Sequence, residues 1–583
     1  MTAGAPAGPL LAEILARRAA LEPARKAYVF LDEHGVETAE LSYGDLHARA
    51  LGAAGRLASA CGPGERALLL FPPGLDFIVA FFGCLYAGVI AVPLNPPRRN
   101  RLADAARSIA SDCQPAAALT TSEMLPECRQ TLPQAGDVPR WLTVDPTPDP
   151  DGAALVQPAP AAADSIAFLQ YTSGSTAAPK GVMVSHGNLL ANEAMIQRAF
   201  GHDQDSTVVG WAPFFHDQGL IGNVLQPLYV GATSILMSPM TFARWPLRWL
   251  SAISQYRAHT SGGPNFAFDA CVARAAGGAA MPDLDLSSWR VAFNGAEPIH
   301  PQTLHRFSET FAPYGFRAEA LYPCYGLAEA TLLVTGSRKG RGPRTMEADA
   351  EQLGRERLVP APSGRGRMLA GSGLVLPDEG VRIVDPGTGR PCPADQVGEI
   401  WIAGDHVAQG YWRRPQATAA TFHATCHGEP EVRYLRTGDL GAVVDGELYV
   451  VGRLKDLVII RGRNYYPQDI EHTVQTAHPA LRPGSCAAFA VPGAEGGEQL
   501  VVVQEVKPGE ALLAGASEVA RSIRAAMIRD HQLSAGDLVL TVPGQLQKTS
   551  SGKIMRAAAR KRYLEAGFEA WPRARAAREG ALT

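Results

Sequence analysis

The sequence predicts an α/β protein with a large N-terminal domain of βαβ sheets, ending in a small β-rich subdomain, and a smaller, mobile α+β C-terminal domain. The chain has 583 residues, too many for a single hydrophobic core. Apolar runs alternate with helical patterns from about residue 26 to residue 450, which is typical of parallel sheets covered by helices. After "LYVVGRLKD" the pattern changes to short strands mixed with helices. We therefore place the domains at residues 1–452 and 457–583, joined by a hinge at 453–456.

The first βαβ unit is clearest between residues 66 and 94. "RALLLFP", "DFIVAFFGCLYAG" and "VIAVPL" predict a strand, a helix and a strand in that order. Residues 77–94 are almost apolar enough to cross a membrane, but two glycines and Pro93 interrupt them. We interpret the stretch as a buried helix followed by a buried strand, and expect no membrane span.

The later segments have a different pattern of predicted secondary structure. "VRIVDPGTGRPC" and "VGEIWIAG" predict short strands around turns, in a β-rich subdomain at about residues 371–410. In the C-terminal domain "LVVVQEV" and "LVLTVP" predict strands, and "SEVARSIRAAMIRDHQ" predicts a helix. The polar segment 336–368 and the basic tail "WPRARAAREGALT" are predicted to be loop and frayed end.

Composition narrows the class of protein. Lys and Arg number 54 against 57 Asp and Glu, so the charge balance does not indicate a nucleic-acid-binding protein. The nine cysteines form no CxxC pair, which favours a reducing compartment over a disulfide framework or a zinc site. The first residues do not have the pattern of a signal peptide. We expect a cytoplasmic protein.

The stretch "YTSGSTAAPKGVMVSH" predicts a phosphate-binding loop. Phosphate oxygens are bound by hydroxyls, close backbone amides and a cation, which here are Thr172, Ser173, Gly174, Ser175, Thr176 and Lys180. No GK[ST] follows, so the loop is not a Walker loop. A flexible polar linker is the alternative, but "IAFLQY" before the loop and "GVMVSHGNLL" after it predict a buried strand and a helix start, which favour the phosphate loop.

A set of motifs in a fixed order resembles the adenylate-forming superfamily of acyl-CoA ligases, luciferases and peptide-synthetase adenylation domains. The motifs are "YTSGSTAAPKG", "FFHDQGL", "NGAEP", "YGLAEA", "YLRTGDLG", "GRLKD" and "KTSSGKIMR", and they span most of the chain. Two positions depart from the common pattern. Ala177 stands where the loop often has glycine, and Ala328 stands where "YGxTE" has threonine.

Within that superfamily the chain is most similar to the fatty acyl-AMP ligases. The resemblance rests on "FPPGLDFI", "QYTSGSTAAPKGVMVSH", "WAPFFHDQGLIG", "SGGPNFAFD", "YGLAEATLLV", "LKDLVIIRGRNYYPQDIE" and "LVVVQEV". This subfamily activates fatty acids as adenylates and passes them to a carrier protein instead of coenzyme A. It also carries an insertion in the large domain after the "YGxxE" motif. We interpret residues 336–368 as that insertion.

The resemblance implies roles in adenylation, in which a carboxylate attacks the α-phosphorus of ATP. Lys553 would bridge the carboxylate and the α-phosphate, because two anionic groups must meet there. The phosphate loop, residues 172–180, would hold the β- and γ-phosphates. Glu329 would bind Mg²⁺, a cation that prefers oxygen ligands.

The resemblance also implies an AMP site. Asp439 would accept hydrogen bonds from the ribose hydroxyls, and Arg453 would contact the ribose or a phosphate. The adenine slot would be formed by Gly295, Ala296, Glu297, Tyr325, Gly326 and Leu327. Tyr325 would stack on the base, although core packing is the alternative for this ring.

Two further residues are assigned by resemblance to positioning and movement. His216 would orient the reacting carboxylate; it is not assigned as a general base, since a fatty acid is already ionised at pH 7. Lys455 would be the pivot of the hinge. Rotation of the small domain would withdraw Lys553 after the first half-reaction and admit the thiol acceptor.

The substrate is expected to be a medium- or long-chain fatty acid. Amino-acid adenylation domains carry an aspartate for the substrate ammonium, whereas "SPMTFARWPLRWL" contains no acid. Apolar residues in "GLIGNVLQPL" and "GGPNFAF" are candidates for the acyl pocket, namely Gly219, Ile221, Gly263 and Phe266.

The acceptor would be the phosphopantetheine thiol of an acyl carrier protein acting in trans, because no carrier module follows the ligase region. "SRKGRGPR" and the tail residues Arg573 and Arg575 could meet an acidic carrier. A coenzyme A ligase with an unusual loop is the closest alternative. A non-catalytic acyl- or nucleotide-binding protein is disfavoured because Lys553, Glu329 and Asp439 are all present.

Overall fold

A computed structural model describes most of the chain. The described residues are 9–96, 102–132, 140–145, 159–172, 179–278, 281–362, 366–375, 380–460, 463–493, 498–507, 515–549, 552–569 and 571. Ser173, Gly174, Ser175 and Thr176 of the predicted phosphate loop lie outside them, as do Ala177 and the tail beyond residue 571.

The helices and strands follow in chain order. The helices are α1 (Leu11–Leu21), α2 (Tyr43–Ala58), α3 (Leu75–Ala87), α4 (Leu102–Cys113), α5 (Leu125–Thr131), α6 (His186–Phe200), α7 (Gln226–Val230), α8 (Pro239–Arg244), α9 (Pro246–Gln255), α10 (Asn265–Ala276), α11 (Pro301–Phe311), α12 (Ala350–Leu353), α13 (Pro415–Phe422), α14 (Pro467–Thr476), α15 (Ala516–His531) and α16 (Arg556–Leu564). The strands are β1 (Lys26–Leu31), β2 (Glu37–Ser42), β3 (Arg66–Leu70), β4 (Ile90–Leu94), β5 (Ala117–Thr120), β6 (Arg140–Thr143), β7 (Ile166–Thr172), β8 (Lys180–Ser185), β9 (Val208–Gly210), β10 (Ser234–Met237), β11 (Thr260–Gly263), β12 (Val291–Asn294), β13 (Leu321–Gly326), β14 (Leu333–Gly336), β15 (Thr345–Ala348), β16 (Arg367–Ala370), β17 (Gly380–Val384), β18 (Gly398–Ala403), β19 (Ala424–Cys426), β20 (Glu429–Val444), β21 (Glu447–Arg453), β22 (Val458–Ile460), β23 (Arg463–Tyr465), β24 (Leu481–Pro492), β25 (Glu498–Val506) and β26 (Asp537–Thr541).

Two mainly parallel sheets form the body of the large domain. One has the order β6-β5-β3-β4-β7-β8 and the other β14-β13-β12-β11-β9-β10-β1-β2. Only the edge pairs β7–β8, β1–β2 and β13–β14 are antiparallel. The carboxyl ends of parallel strands meet at one edge of a sheet, where ligands of open α/β sheets bind. The predicted α/β fold class is confirmed.

Helix α3 shows why the apolar stretch at residues 77–94 belongs to the interior. Nearly every side chain of α3 is buried, and β4 follows it inside the sheet. Gly83 lets α3 approach α2, because a Cβ there would lie 2.7 Å from the Ala53 methyl. In the described part of the chain no helix is long and apolar enough to span a membrane. The predicted strand, helix and strand are therefore confirmed.

Smaller sheets complete the molecule. Strands β17, β18, β20, β19 and β21 form an antiparallel sheet, as the turn-rich sequence there predicts. Beyond a short 3₁₀ turn at Leu454–Asp456, strands β24, β25 and β26 form a three-stranded sheet that packs with α14, α15 and α16. All nine cysteines are free.

One prediction about local structure was wrong. Residues 336–368 are not a loop throughout, because β15 pairs antiparallel with β16 and the short helix α12 lies between them. Buried Ala348, Leu353 and Leu358 anchor this segment. Its apolar residues are too widely spaced to produce a helix or strand pattern in the sequence, but they find a core in the neighbouring sheet.

Candidate active site

A cleft of about 2180 Å³ lies between the large domain and the C-terminal domain. Most of the residues predicted for catalysis and nucleotide binding line it, although they come from motifs up to about 380 positions apart. They are Thr172, Lys180, His216, Gly295, Ala296, Glu297, Tyr325, Gly326, Leu327, Glu329, Asp439, Arg453, Lys455 and Lys553. This convergence makes the cleft the candidate active site.

One end of the cleft combines a cation with a carboxylate. Thr172 and Lys180 face each other across the antiparallel pair β7–β8, on either side of the phosphate loop. The Lys180 ammonium lies 4.7 Å from the centre of the Tyr411 ring, and the Tyr411 hydroxyl donates a hydrogen bond of 2.9 Å to Glu329. Burial raises the pKa of Glu329, and the Tyr411 hydrogen bond partly offsets this effect. This end therefore suits phosphate and a hard cation together.

Asp439 is held by two donors at a different point of the wall. The Tyr325 hydroxyl donates to one carboxylate oxygen at 2.8 Å, and Arg453 Nε donates to the other at 2.9 Å. The pairing with Arg453 follows from strand register, since Asp439 and Arg453 are direct partners in β20–β21. The negative charge of Asp439 outweighs the effect of burial and raises the pKa of the Arg453 guanidinium. Each carboxylate oxygen retains acceptor capacity for a diol.

The "NGAEP" segment forms a narrow wall after β12. A Cβ at Gly295 would lie 2.9 Å from the carbonyl oxygen of Cys324, so a side chain there would displace the backbone of β13. Ala296 has a φ of 67°, in the left-handed region that glycine prefers. Glu297 accepts a hydrogen bond of 2.7 Å from the Phe266 amide. The wall is thus built from close backbone contacts next to the Tyr325 ring.

Lys553 enters the cleft from a tight turn in the C-terminal domain. The turn is closed by reciprocal hydrogen bonds, from Thr549 N to Lys553 O at 2.8 Å and from Lys553 N to Thr549 Oγ1 at 3.1 Å. Burial within the cleft and the charge of Arg453 lower the pKa of the Lys553 amine, whereas Asp217 and Glu297 act in the opposite direction. The amine is therefore within electrostatic reach of groups from three separate motifs of the large domain.

His216 is oriented by the residue that follows it. His216 Nδ1 lies 2.6 Å from Asp217 Oδ1, which also accepts from the Gln218 amide at 2.7 Å. Burial acts to raise the pKa of Asp217, but His216, the Gln218 amide and Lys553 together hold it below its usual value. With Nδ1 engaged, Nε2 is the ring nitrogen left to meet a substrate.

Two residues of this site escaped sequence reasoning. Asp217 stands in the quoted motif "FFHDQGL", and its position directly after His216 was the available signal. Tyr411 lies in "GYW", a tripeptide with no distinctive chemistry. Only the fold brings Tyr411 between Lys180 and Glu329.

The predicted hinge is fastened to the C-terminal domain. Lys455 lies in the 3₁₀ turn after β21, and burial together with Arg453 lowers the pKa of its amine. Arg556 of α16 donates to Asp456 at 2.8 Å and to both carboxylate oxygens of Glu471 at 2.7 Å. These charge-assisted contacts fix the turn to α14 and α16.

Three of the four residues predicted for the acyl pocket do not line the cleft. Phe266 lines the cleft, but Ile221 is fully buried in the core, and Gly219 and Gly263 are also absent from the cleft wall. A Cβ at Gly219 would lie 2.0 Å from the Pro213 carbonyl oxygen and one at Gly263 2.6 Å from the Trp211 ring, so these glycines serve close packing. A largely apolar part of the cleft wall lies between α6 and strands β11–β13. We call it the acyl extension because it is our candidate for the acyl site, and its residues are Ile196, Phe200, Gly222, Thr260, Phe293, Cys324, Leu332 and Leu333.

Residues 336–368, the proposed insertion, contact both domains. Ala348 and Leu358 share a core with Tyr449 and Val451 of the large domain. Toward the C-terminal domain, Arg367 forms an ion pair of 2.7 Å with Asp469. Burial outweighs Arg367 and raises the pKa of Asp469 to about 6.

A second set of contacts ties the insertion to β23. The side-chain Nδ2 of Asn464 donates to Glu356 Oε1 at 2.9 Å. The backbone N–H of Asn464 donates to the Gly354 carbonyl oxygen at 3.1 Å. Backbone hydrogen bonds of this kind require a fixed register. The segment is therefore wedged between the two domains.

A metal in this cleft would have few protein ligands. Among the residues that the structure describes, no group of three or more His, Cys, Asp or Glu side chains is arranged to hold a metal ion. Glu329 offers a carboxylate at the cleft wall, and Mg²⁺ commonly takes one or two carboxylates together with substrate phosphates and water. The donor set therefore fits Mg²⁺ that arrives with a nucleotide.

Comparison with known proteins places this geometry in a family. The model of the family "AMP-binding enzyme" matches residues 15–412, and that of "Disco-interacting protein 2-like, AMP domain" matches residues 455–571. The chain is 43% identical over 96% of both chains to the medium-chain-fatty-acid–[acyl-carrier-protein] ligase JamA of Moorena producens. It is 39% identical to the long-chain-fatty-acid–AMP ligase FadD32 of Mycolicibacterium smegmatis, over 93% of this chain and 92% of that one. A putative fatty-acid–CoA ligase, fadD25 of Mycobacterium tuberculosis, is 38% identical over 93% and 96%.

Solved structures agree with these relatives. A fatty acid AMP ligase from Legionella pneumophila superposes with a TM-score of 0.74 at 40% identity, covering 96% of this chain and 97% of that one. A structure from a study of fatty acyl-adenylate ligases from E. coli and L. pneumophila has a TM-score of 0.84 at 33% identity, covering 96% and 98%.

Proposed function

The chain belongs to the fatty acyl-AMP ligases of the AMP-binding enzyme family, and we propose that it activates a medium- or long-chain fatty acid and loads it onto a carrier protein. The first reaction converts the acid and ATP to acyl-AMP and pyrophosphate. The second transfers the acyl group to the phosphopantetheine thiol of an acyl carrier protein acting in trans. The observation that carries the proposal is that Lys553 lines the same cleft as Lys180, Glu329 and Asp439.

In the first reaction a carboxylate oxygen of the acid attacks the α-phosphorus, and the bond to the bridging oxygen of pyrophosphate breaks. No general base is needed, because a carboxylic acid is ionised at neutral pH. Lys553 lies where it would neutralise the two anions as they approach, in a cleft whose electrostatic interactions are stronger than in water. His216, oriented by Asp217, would align the attacking carboxylate.

The nucleotide would be held along the wall already described. Thr172 and Lys180 would bind the β- and γ-phosphates together with Ser173, Gly174, Ser175 and Thr176. Asp439 and Arg453 would bind the ribose. Gly295, Ala296, Glu297, Gly326 and Leu327 would form the adenine slot around Tyr325. Mg²⁺, when bound at Glu329, would neutralise phosphate charge.

In the second reaction the carrier thiol attacks the carbonyl carbon of the adenylate, and AMP leaves. Lys553 serves only the first reaction, so its withdrawal would open the cleft to the thiol. Rotation about residues 453–456, with Lys455 as pivot, would achieve this. The 3₁₀ turn at this position supports the proposed hinge, because a short turn can absorb a backbone change without disturbing either sheet.

The insertion favours a carrier over coenzyme A. Its contacts to both sides of the hinge restrict the paths by which an acceptor can reach the adenylate. The relatives named as acyl-carrier-protein and AMP ligases support the same preference, although one relative is named a putative CoA ligase.

The proposal is tested by incubating the protein with ATP, Mg²⁺ and fatty acids, with amino acids as a comparison set. Pyrophosphate release and mass spectrometry would report the products. We expect acyl-AMP from fatty acids and none from amino acids. Adenylates formed from amino acids alone, or pyrophosphate release with neither, would refute the proposal.

A further inference from the structure

Thr260, the first residue of β11, is the least solvent-exposed of the residues that line the acyl extension, and we take it as the inner end. Thr260 lines the cleft although only 1% of its surface is exposed. Phe200 and Phe293 also line the extension, and their rings stack with a centroid distance of 6.0 Å. Phe200 packs edge-on against the ring of His202 at 5.4 Å, and His202 is hydrogen-bonded to Thr260.

A directional chain of hydrogen bonds holds Thr260 from behind. Lys339 is a donor only, so its ammonium donates to His259 Nε2 at 2.8 Å, and His259 Nδ1 must carry the proton. His259 Nδ1 then donates to Thr260 Oγ1 at 2.8 Å. The Thr260 hydroxyl in turn donates to His202 Nε2 at 2.7 Å.

The chain continues into the core. With Nε2 accepting, His202 Nδ1 carries the proton and donates to the Gln226 amide oxygen at 3.3 Å, while the Gln226 amide nitrogen donates to Glu193. Burial lowers the pKa of His259 to about 4 and that of His202 to about 3, which agrees with two neutral rings. Every step of the chain is therefore fixed in direction by the lysine at its surface end.

As a result, the Thr260 hydroxyl uses its proton and one acceptor position in contacts with the two rings. The oxygen donates to one ring and accepts from the other, so the methyl group is what the side chain can present to the extension. Moving Thr260 aside would break two buried hydrogen bonds, each costly because the groups left behind cannot reach water. The end of the extension is therefore apolar and rigid.

We propose that Thr260, held by His202 and His259, is the fixed stop of the acyl extension and sets the longest chain that the enzyme accepts. This inference rests on the proposed function. Thr260 of β11 is paired with Val291 of the neighbouring strand β12. Gly295 lies four residues beyond Val291, so the extension from Thr260 to the level of Gly295 is about 13 Å long. Activity is expected to rise by about fourfold for each methylene that fits and to fall once the chain meets the stop.

The test compares three variants across straight-chain acids from hexanoate to stearate, with kcat/KM for pyrophosphate release as the readout. Thr260→Gly removes the stop and Thr260→Ser removes only its methyl. Thr260→Val keeps the shape but loses both hydrogen bonds. We expect the optimum to move to longer acids in Thr260→Gly and, by a smaller step, in Thr260→Ser, with at least a fourfold gain for the acid just beyond the wild-type optimum.

The outcomes separate this inference from the proposed function. Thr260→Val is expected to lower the melting temperature and to loosen the cut-off, with activity on the acid just beyond the wild-type optimum between those of wild type and Thr260→Gly, because the hold by both rings is lost. A cut-off in Thr260→Val as sharp as that of wild type would overturn the inference. An unchanged optimum in folded Thr260→Gly and Thr260→Ser would also overturn it, while leaving the proposed function intact. If the wild-type protein activated no acid, the proposed function itself would fail.

Discussion

At the scale of single residues, the position of Lys553 bears on its proposed role in the first half-reaction. Two hydrogen bonds join Lys553 to Thr549 and so attach it to the C-terminal domain. Burial, and after it the charge of Arg453, lowers the pKa of the Lys553 amine. An anion that enters between these two cations would restore the balance of charge.

Lys553→Ala is therefore expected to lower the rate of acyl-AMP formation by about a hundredfold or more, the usual effect of removing a preorganised electrostatic contact to a transition state. Transfer from acyl-AMP supplied in advance should change far less. Pyrophosphate release and single-turnover transfer would be measured separately. Arg524→Ala, which removes an exposed charge from the same domain, is the matched control and should affect neither step.

Tyr411 connects two charged residues of the proposed phosphate end. Its ring contacts the Lys180 ammonium, and its hydroxyl holds Glu329. Tyr411→Phe keeps the first contact and removes the second. Because a hydrogen bond to a charged group is worth about 1.5–3 kcal/mol, we expect the KM for MgATP to rise by about tenfold.

That expectation is checked by varying MgATP at saturating fatty acid. Tyr434→Phe is the matched control, because it also removes a hydrogen bond from a tyrosine hydroxyl to a glutamate, in the β-rich subdomain. Equal effects of the two substitutions would mean that Tyr411 acts through stability and not through Glu329.

At the scale of elements, residues 336–368 act as a strut between domains. Arg367–Asp469 and Asn464–Glu356 link the segment to the far side of the hinge. Its own core attaches it to the large domain. If the C-terminal domain rotates as proposed, a segment held on both sides would limit that rotation and the approach of an acceptor.

The double variant Arg367→Ala, Asn464→Ala is expected to increase acyl-CoA formation several-fold above wild type while acyl-AMP formation is retained. Products would be quantified by mass spectrometry in the presence of coenzyme A. Arg355→Ala, which breaks an exposed ion pair within the insertion, should leave acyl-CoA formation at the wild-type level. If the double variant also stays at that level, the strut does not control the choice of acceptor.

At the scale of the whole molecule, buried neutral histidines make stability depend on pH. His406 is 2% exposed, and burial lowers its pKa to about 4 from an ordinary value of 6.5. Between those values the unfolded chain binds a proton that the folded protein does not. The stability that neutral His406 contributes is thus fully present above pH 6.5 and is lost as the pH falls toward 4.

His406→Gln removes this contribution. The difference in free energy of unfolding between wild type and variant should therefore shrink by about 1.4 kcal/mol per pH unit below pH 6.5. Unfolding midpoints of both proteins at several pH values would check this. A difference that stays constant with pH for His406→Gln would contradict the account.

How much of this molecule could be predicted depends on the range of the signal. The βαβ units were predictable because α3 and its flanking strands have local patterns of apolar residues. The cleft residues were predictable because ordered motifs carry chemistry. The acyl wall was not, since Ile221 and Phe200 are equally apolar and only packing decides which one faces the cleft. The proposed insertion was predicted to be a loop because its few apolar residues form no local pattern. They are buried against a sheet whose strands lie far away in the sequence.

The most direct test of the central claim offers the enzyme both acceptors at once. Purified protein, ATP, Mg²⁺ and a fatty acid would be mixed with coenzyme A and a phosphopantetheine-bearing carrier protein, and the acyl products identified by mass spectrometry. The proposed function predicts acyl-AMP and acyl-carrier with little acyl-CoA, because Lys553 lines the cleft and the insertion would restrict the acceptor. Efficient formation of acyl-CoA with no acyl-carrier would contradict it.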